Sequence, residues 1–343
     1  MWNMKTITLK DVAKKAGVGV GTASRVLNNQ AHVSEDKRQR VLDAIEALHY
    51  KPDAIARSLK SKRTGNIGVI LNDITNPFYS KVFRGLETEA KSSDYSIVFV
   101  DLFLQNEDAI GEILSFYRSK VDGIIFIGST VTTEILEHCS NFEMPFVYAS
   151  ASLDSSIDTQ GNIYSVDIDN EKAAYDATNA LIELGHRDIA LILGPVEDKN
   201  STFSRKIGFE KAMKEHNIPL NDSWICYGDF SYDSGYSVMK EILSSNKIPT
   251  MVFAISDLMA IGATKAILES GLNVPKNVSV MGFDGIKNGE YNYPEISTVV
   301  QPRYEMGRLA CEKIIKLIEK KEIEEPVSIL EHTLAIRASV KKL

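Results

Sequence analysis

Four polar side chains near the amino terminus, those of Thr22, Ser24, Arg25 and Asn28, share the outer face of one short helical pattern. Three of them are short hydrogen-bonding groups and the fourth is a guanidinium. This is the set of groups that binds phosphates and base edges in the major groove of DNA. Such chemistry requires a helix that holds the four side chains on one exposed face.

The surrounding residues predict that helix and two others that support it. Thr8 and Asp11 form a capping pattern at the start of a first helix, and the segment 16–18 breaks it with a glycine. The second helix follows the break, and a third begins at Ser34. Apolar residues at i, i+3 and i+4 spacing predict a small three-helix core. Its predicted positions in the second and third helices are Ala23, Val26, Leu27, Val41, Leu42, Ile45 and Leu48.

The charge distribution separates this head from the rest of the chain. Residues 1–65 contain 13 Lys and Arg against 6 Asp and Glu, whereas the whole chain has a net charge of −7. A basic head on an acidic body favours contact with nucleic acid through the head alone. Two alternatives are a dinucleotide-binding loop at the glycines of 17–21 and an ordinary surface helical hairpin. The loop would have to follow a buried strand, and a hairpin would not explain the charge separation.

Three segments together resemble one known family. They are DVAKKAGVGVGTASRVLN at 11–28, HVS at 32–34 and YKPDAIARSL at 50–59. They resemble the headpiece and hinge of the lactose/galactose repressor family of bacterial transcription regulators, and residues from 66 onward resemble its effector-binding core. The resemblance implies DNA contacts by Thr8, Val20, Gly21, Thr22, Ser24, Arg25, Asn28, His32, Ser34, Tyr50, Ala56 and Leu59.

Within that set, the resemblance implies that Leu59 enters the minor groove as one of a symmetric pair and kinks the operator. The alternative is a linker leucine packed on the body. The sequence departs from the family at Gly19, where a capping serine is usual, and at Gly21, which has no side chain to contact a base. Each change costs a helix about 1 kcal/mol. We therefore expect the hinge and DNA deformability to contribute to operator specificity.

The body shows continuous apolar runs that alternate with amphipathic helical patterns, which is typical of parallel sheets covered on both faces. Seven runs begin near residues 67, 96, 123, 145, 189, 251 and 278. The predicted fold is a small all-α three-helix DNA-binding head with a hinge helix, followed by an α/β core of two doubly wound parallel-sheet subdomains. By resemblance the core is periplasmic binding protein-like, type I.

The resemblance also implies the domain boundaries. The headpiece would span 1–50, and the hinge helix and linker 51–65. The chain would cross between the subdomains near residues 163, 292 and 325. The N-subdomain would then comprise 66–163 plus 293–325, and the C-subdomain 164–292 plus 326–343.

Ligands of open α/β folds bind at the carboxyl ends of strands, so the cleft between the subdomains is the expected effector site. The resemblance implies aromatic contacts by Phe78 and Phe230, a bidentate guanidinium at Arg205 and acceptors at Asp257 and Asp284. The complete predicted set is Asp73, Asn76, Phe78, Ser150, Arg205, Phe230, Asp257, Asp284 and Gln301. Ser150 replaces the carboxylate of some sugar-binding relatives.

Each of these residues also has a structural alternative. Phe78 and Phe230 suit an apolar core, Arg205 suits a surface, and Asp257 suits the cap of a helix that begins at Leu258. A purely structural role is least expected for Asp284, because a buried strand seldom ends in Phe-Asp-Gly unless the carboxylate has a polar function.

The sequence offers no catalytic or metal site and predicts no cofactor. Histidine pairs with metal spacing, a nucleophile elbow and a phosphate-binding P-loop are all absent. No apolar run is long enough to span a membrane, and no signal peptide precedes the head, so a cytoplasmic protein is expected. Two other classes of protein are alternatives. An enzyme on a doubly wound fold would need a catalytic acid/base pair, which the sequence does not show. An architectural DNA binder would not need the predicted effector cleft.

The expected partners are double-stranded operator DNA and a small-molecule effector, which would be a sugar, a sugar phosphate or a similar polar metabolite. One helix-turn-helix has little contact area, so we expect a homodimer or a higher oligomer that binds a pseudo-palindromic operator. Some relatives, the catabolite control proteins, respond to a phosphorylated phosphocarrier protein. Glu312 stands where those proteins show a basic residue, which argues against that partner here.

Overall fold

The computed structural model of the chain describes residues 7–27, 33–48, 50, 63–71, 73–101, 120–128, 144–150, 164–196, 198, 200–245 and 247–343. The chain divides into two compact units, Met1–Gly65 and Asn66–Leu343. They are the predicted head and body, and each is described by itself.

The head contains three helices, α1 (Leu9–Ala16), α2 (Val20–Leu27) and α3 (Glu35–Leu48). The carboxylate of Asp11 accepts hydrogen bonds from the N–H and the hydroxyl of Thr8, so the predicted cap of α1 forms. Gly17 ends α1 with a φ of 64°, which only a glycine adopts at little cost. The head core is built on Val12, Ala23, Val26 and Val41, among others. Leu42 is 45% exposed, so its predicted burial is wrong, and Ala44 takes the inward position instead.

The first body sheet contains strands in the order β11, β5, β4, β3, β1, β2, and all its pairs are parallel. Continuous burial of the central strands explains their uninterrupted apolar runs. The elements of this subdomain are β1 (Asn66–Leu71), α4 (Phe78–Ser92), β2 (Ser96–Asp101), β3 (Gly123–Ile127), β4 (Phe146–Ala149), β5 (Ser165–Ile168), α10 (Arg303–Ile318) and β11 (Val327–Leu330).

The second body sheet has the order β12, β10, β9, β8, β6, β7, and only the edge pair β10 with β12 is antiparallel. The predicted two doubly wound subdomains are thus confirmed. Their remaining elements are α5 (Asn170–Glu183), β6 (Ile189–Leu193), α6 (Ser201–Glu215), β7 (Ile225–Tyr227), α7 (Tyr232–Leu243), β8 (Met251–Ala254), α8 (Asp257–Glu269), β9 (Ser279–Asp284), α9 (Lys287–Glu290), β10 (Ser297–Val300) and β12 (Thr333–Ala335).

The sequence analysis predicted that the chain crosses between the subdomains near residues 163, 292 and 325. The strand pairing places each of these three crossings later in the chain. β5 still pairs in the first sheet, β10 still pairs in the second, and β11 returns to the first sheet before β12 joins the second. The three crossings therefore follow Ile168, Val300 and Leu330. The resemblance gave only approximate boundaries. The strands before the crossings have four residues each and include polar ones, so no continuous apolar run in the sequence could refine those boundaries.

Helices α4 and α10 pack closely against each other at glycines. A Cβ at Gly85 would lie 2.0 Å from the carbonyl oxygen of Tyr304, and a Cβ at Gly307 would lie 2.0 Å from that of Val82. Only glycine permits such an approach of two helix backbones. This contact fixes the start of α10, with Arg303, beside the start of α4, with Phe78.

Candidate functional site

The outer face of α2 carries the predicted DNA-contacting side chains. Arg25 is exposed, and Val20 at the first turn is 44% exposed. A Cβ at Gly21 would meet no atom within 4 Å, so the helix surface is bare at that position. Arg25 is therefore the long charged side chain on the exposed face of α2.

The other predicted DNA contacts divide into three groups. Thr8 and Ser34 are exposed, and Thr22 and Ser24 are partly exposed. Tyr50 packs against the head core, and its N–H donates to the carbonyl of Ile45. The remaining predicted contacts lie outside the described residues, and they are Asn28, His32, Ala56 and Leu59.

The body contains a cavity of about 810 Å³ between the two subdomains. It is lined by residues that follow the carboxyl ends of strands in both sheets, as expected for an open α/β fold. Eight of the nine predicted effector residues line it, and they are Asp73, Asn76, Phe78, Ser150, Arg205, Phe230, Asp284 and Gln301.

The wall from the N-subdomain is built on the turn between β1 and α4. Asp73 has a φ of 60° and accepts a hydrogen bond from the N–H of Thr75 at 2.9 Å. The amide oxygen of Asn76 accepts from the N–H of Phe78 at 2.9 Å, so it caps the first turn of α4. The Phe78 ring packs edge-on against Tyr79. These turns fix the aromatic and amide groups at the cavity.

The opposite wall belongs to the C-subdomain. Phe230 has a φ of 66°, an uncommon conformation for an aromatic residue and one that recurs at functional sites. Its ring fits beside Gly194, where a Cβ would lie 2.2 Å from Phe230 Cζ. Asp198 caps α6, since its carboxylate accepts hydrogen bonds from three N–H groups at the start of that helix.

Arg205 lies at the floor of the cavity and is 4% exposed, which excludes the surface alternative. Its Nε donates to the side chain of Asn170 at 2.9 Å, and its Nη1 donates to the carbonyl of Ile255 at 2.7 Å. The guanidinium stacks 3.7 Å from the ring centroid of Phe283. The remaining N–H groups can serve a ligand, because Arg has five donors in total.

Asp284 stands 4.0 Å from Arg205 and accepts a hydrogen bond from Gln301 at 2.8 Å. Burial raises the pKa of Asp284 to about 6, and the guanidinium groups of Arg205 and Arg303 limit the rise. Its φ of 118° is strained for a residue with a side chain. The hydrogen bond from Gln301 and the nearby guanidinium of Arg205 thus hold this carboxyl group at the cavity.

Asp257 does not line the cavity, so the structure does not place this predicted acceptor with the other eight. It is fully buried behind Asp284 and accepts the N–H of Ile286 at 2.7 Å. Nor does it cap α8, because Ser256 holds that position. Burial, followed by the nearby charge of Asp284, raises the pKa of Asp257 to about 8. Its position on the inner side of the helix start was not visible in the sequence.

Sequence reasoning missed several residues of the site. Arg303 joins both walls, because it donates to the carbonyl of Phe78 at 3.4 Å and to that of Gly285 at 2.5 Å. Asp198 and Asp229 line the cavity as well. An Asp just ahead of a helix is a capping signal, which would have located these two acids at helix starts but not at the cavity.

Among the described residues, no group of three or more His, Cys, Asp or Glu side chains has an arrangement that would hold a metal ion. No helix within the described ranges is long and apolar enough to cross a membrane.

Comparison with known proteins gives two matching family models. Residues 8–53 match the model of bacterial regulatory proteins of the lacI family. Residues 64–338 match the model of periplasmic binding proteins and sugar binding domain of LacI family.

Individual proteins resemble the chain over almost its whole length. It is 40% identical to the HTH-type transcriptional regulator RegA of Clostridium saccharobutylicum, with 97% of this chain and 98% of that protein covered. It is 37% identical to catabolite control protein A of Priestia megaterium, with 98% and 99% covered. A solved structure of the lac repressor dimer, bound to operator and the anti-inducer ONPF, has a TM-score of 0.85 at 26% identity and covers 98% of this chain and 100% of that one.

Proposed function

The chain belongs to the LacI family of bacterial transcription regulators, and we propose that a small polar metabolite in the body cavity controls its binding to operator DNA. Family membership makes it a DNA-binding regulator and not an enzyme. The regulators of this family bind operator DNA and small-molecule effectors, and they act as dimers. The proposal concerns which residues perform these tasks here.

The observation that carries the proposal is the buried Arg205, which lines a cavity between two subdomains together with aromatic and acidic side chains. A buried guanidinium is costly unless its hydrogen bonds are satisfied. Asn170 and Ile255 satisfy two of them, and ligand hydroxyl groups would satisfy others. Phe78 and Phe230, from opposite walls, would contact the apolar faces of the same ligand.

A ligand that contacts both walls favours one angle between the subdomains, and it shifts the population toward that angle. Arg303 supports this coupling, since it donates to carbonyls of both walls. We propose that the angle controls the hinge and the insertion of Leu59, which lies outside the described residues. Whether the effector releases or strengthens DNA binding depends on which angle it favours.

Replacement of Arg205 by lysine tests the effector site. Lysine keeps the charge but loses the planar donor geometry, so we expect the metabolite that shifts operator binding of the parent protein to lose at least about tenfold in potency. Arg187→Lys is the matched control, because Arg187 donates to backbone carbonyls outside the cavity. Gel shifts with full-length protein measure both. An unchanged metabolite response in Arg205→Lys would contradict the assignment of the cavity.

Replacement of Arg25 by alanine tests the DNA-contacting face of α2. If Arg25 contacts base edges, the variant should lose about 1 to 3 kcal/mol of binding free energy for the operator. The loss for unrelated DNA should be smaller. Titrations with a mapped operator and a scrambled duplex at one salt concentration measure the difference. Equal losses on both duplexes would assign Arg25 to the phosphate backbone, and no loss would remove it from the interface.

A further inference from the structure

Among the described residues that line the cavity, acidic side chains outnumber basic ones. Its described lining residues include four carboxyl groups and one guanidinium, and they include no lysine and no histidine. The acids are Asp73, Asp198, Asp229 and Asp284, and the base is Arg205. A second guanidinium, that of Arg303, does not line the cavity, and the nearby charges of Asp284 and Asp257 act on it. An anionic ligand would therefore meet repulsion from more groups than attract it.

The guanidinium of Arg205, which lines the cavity, is already compensated by buried acids. Asp284 lies 4.0 Å from it, and Asp167, buried nearby, also attracts it. Burial raises the pKa of Asp167 to about 6, while the hydrogen bond from the Ile168 N–H and the charge of Arg205 oppose that rise. Arg205 can donate hydrogen bonds to a neutral hydroxyl group, but it adds no net positive charge to the cavity.

Helix N-termini are the usual phosphate-binding positions in such folds, because their N–H groups are unsatisfied. Four helices, α4, α6, α7 and α8, begin with residues that line the cavity, and a side chain accepts a hydrogen bond from the first turn of each. The accepting side chains are those of Asn76 for α4, Asp198 for α6, Ser231 for α7 and Ser256 for α8. Asp198 places a carboxylate where a phosphate would have to bind.

Local hydrogen bonds favour the charged form of Asp229. The carboxylate of Asp229 accepts the N–H of Ser231 at 2.9 Å. Although burial opposes it, hydrogen bonds from Ser231 and Ser234 lower the pKa of Asp229. Carboxylates around a cavity with the aromatic residues Phe78 and Phe230 in its walls are a favourable environment for a cation.

We propose that the effector is a polyhydroxylated molecule without negative charge, that an amine on it strengthens binding, and that the cavity rejects phosphate esters. This inference rests on the proposed function, since it assigns a ligand class to the same site. It removes sugar phosphates from the predicted effectors and leaves neutral sugars and amino sugars.

Thermal shifts of the full-length protein with matched hexoses test the proposal. The probes are glucose, galactose and mannose, each as the free sugar, the 2-amino sugar and the 6-phosphate. Stabilisation measures binding to the native state. For the hexose that binds, we expect the amino sugar to bind at least as tightly as the free sugar and the phosphate about tenfold or more weakly at low salt. In 1 M salt, which screens charges beyond about 3 Å, the difference should shrink.

Asp229→Asn keeps the hydrogen-bond acceptor for Ser231 but removes one charge, so it should reduce the preference for the amino sugar over the phosphate. Asp222→Asn changes the same net charge at an exposed site outside the cavity and should not alter that preference. A phosphate ester that binds as tightly as its free sugar would refute the inference and leave the proposed function intact. No shift with any of the nine compounds would refute hexose binding in the cavity and the inference with it.

Discussion

Replacement of Arg303 by methionine should destabilise the body by about 3 to 5 kcal/mol, whereas Arg308→Met should cost about 1 kcal/mol or less. Both arginines belong to α10, but Arg303 is 2% exposed and the Arg308 side chain is 30% exposed. The two variants change the same residue type in the same helix, so a difference between their losses of stability reports the effect of burial.

The magnitudes follow from the partners of each guanidinium. Arg303 donates to the carbonyls of Phe78 and Gly285, and hydrogen bonds from a charged group contribute about 1.5 to 3 kcal/mol each. Its loss also leaves those buried carbonyls without that donor. Arg308 pairs with Glu305 at 2.6 Å and with Glu312 at 3.0 Å, yet solvent screens these ion pairs. Counting ion pairs alone would predict the opposite order.

Urea unfolding of full-length protein, followed by tryptophan fluorescence and circular dichroism, measures both variants against the parent. The head and the body can unfold separately, so the transition assigned to the body is the one that counts. A loss below about 1 kcal/mol in Arg303→Met, or a larger loss in Arg308→Met, would refute the view that buried carbonyl contacts at the crossing hold the two walls together.

Two further predictions concern a buried acid behind the cavity and a glycine beside one of its aromatic walls. Burial raises the pKa of Asp257 to about 8 in the native state, whereas the unfolded chain releases this proton at a lower pH. As the pH rises from about 4 to 8, this group therefore lowers the free energy of unfolding by up to about 1.4 kcal/mol per pH unit. Asp257→Asn, measured by urea unfolding at pH 5 and pH 8, should therefore gain stability relative to the parent as the pH rises, and parallel pH profiles would contradict this. Gly194→Ala would place a Cβ 2.2 Å from the Phe230 ring, so it should displace that ring and weaken effector binding by about tenfold or more while operator binding without effector is kept. Equal effector affinity in isothermal titrations of Gly194→Ala and the parent would show that the Phe230 wall is not part of the site.

Local patterns in the sequence were sufficient for the helices of the head and for the central strands. The capping pair Thr8 and Asp11 and the break at Gly17 act within a few residues of one another, so their effect does not depend on the rest of the fold. The long apolar runs identified the central strands for the same reason. The edge and crossing strands, such as 165–168 and 297–300, are too short and too polar to be recognised in this way.

The cavity brings together most of the residues that the resemblance and the strand ends predicted for the effector site. Arg205, Asp284 and six other predicted residues line it. The same prediction placed Asp257 at the cavity. At the start of a helix, a difference of one residue decides whether a carboxylate faces the cavity or the sheet behind it. Gly282 leaves the space that Asp257 occupies, since a Cβ there would lie 2.3 Å from its carboxylate oxygen. Such a choice depends on packing between elements.

The sequence by itself determined the class of protein, because helix spacing, apolar runs and charge separation are properties of neighbouring residues. Only the tertiary structure decided which charges meet. The hydrogen bond from Arg303 to Phe78 joins positions 225 residues apart, and Arg205 meets the carbonyl of Ile255 across 50 residues. Burial and partners set the pKa values and the charge of the cavity, and both arise only when distant strand ends come together at one place.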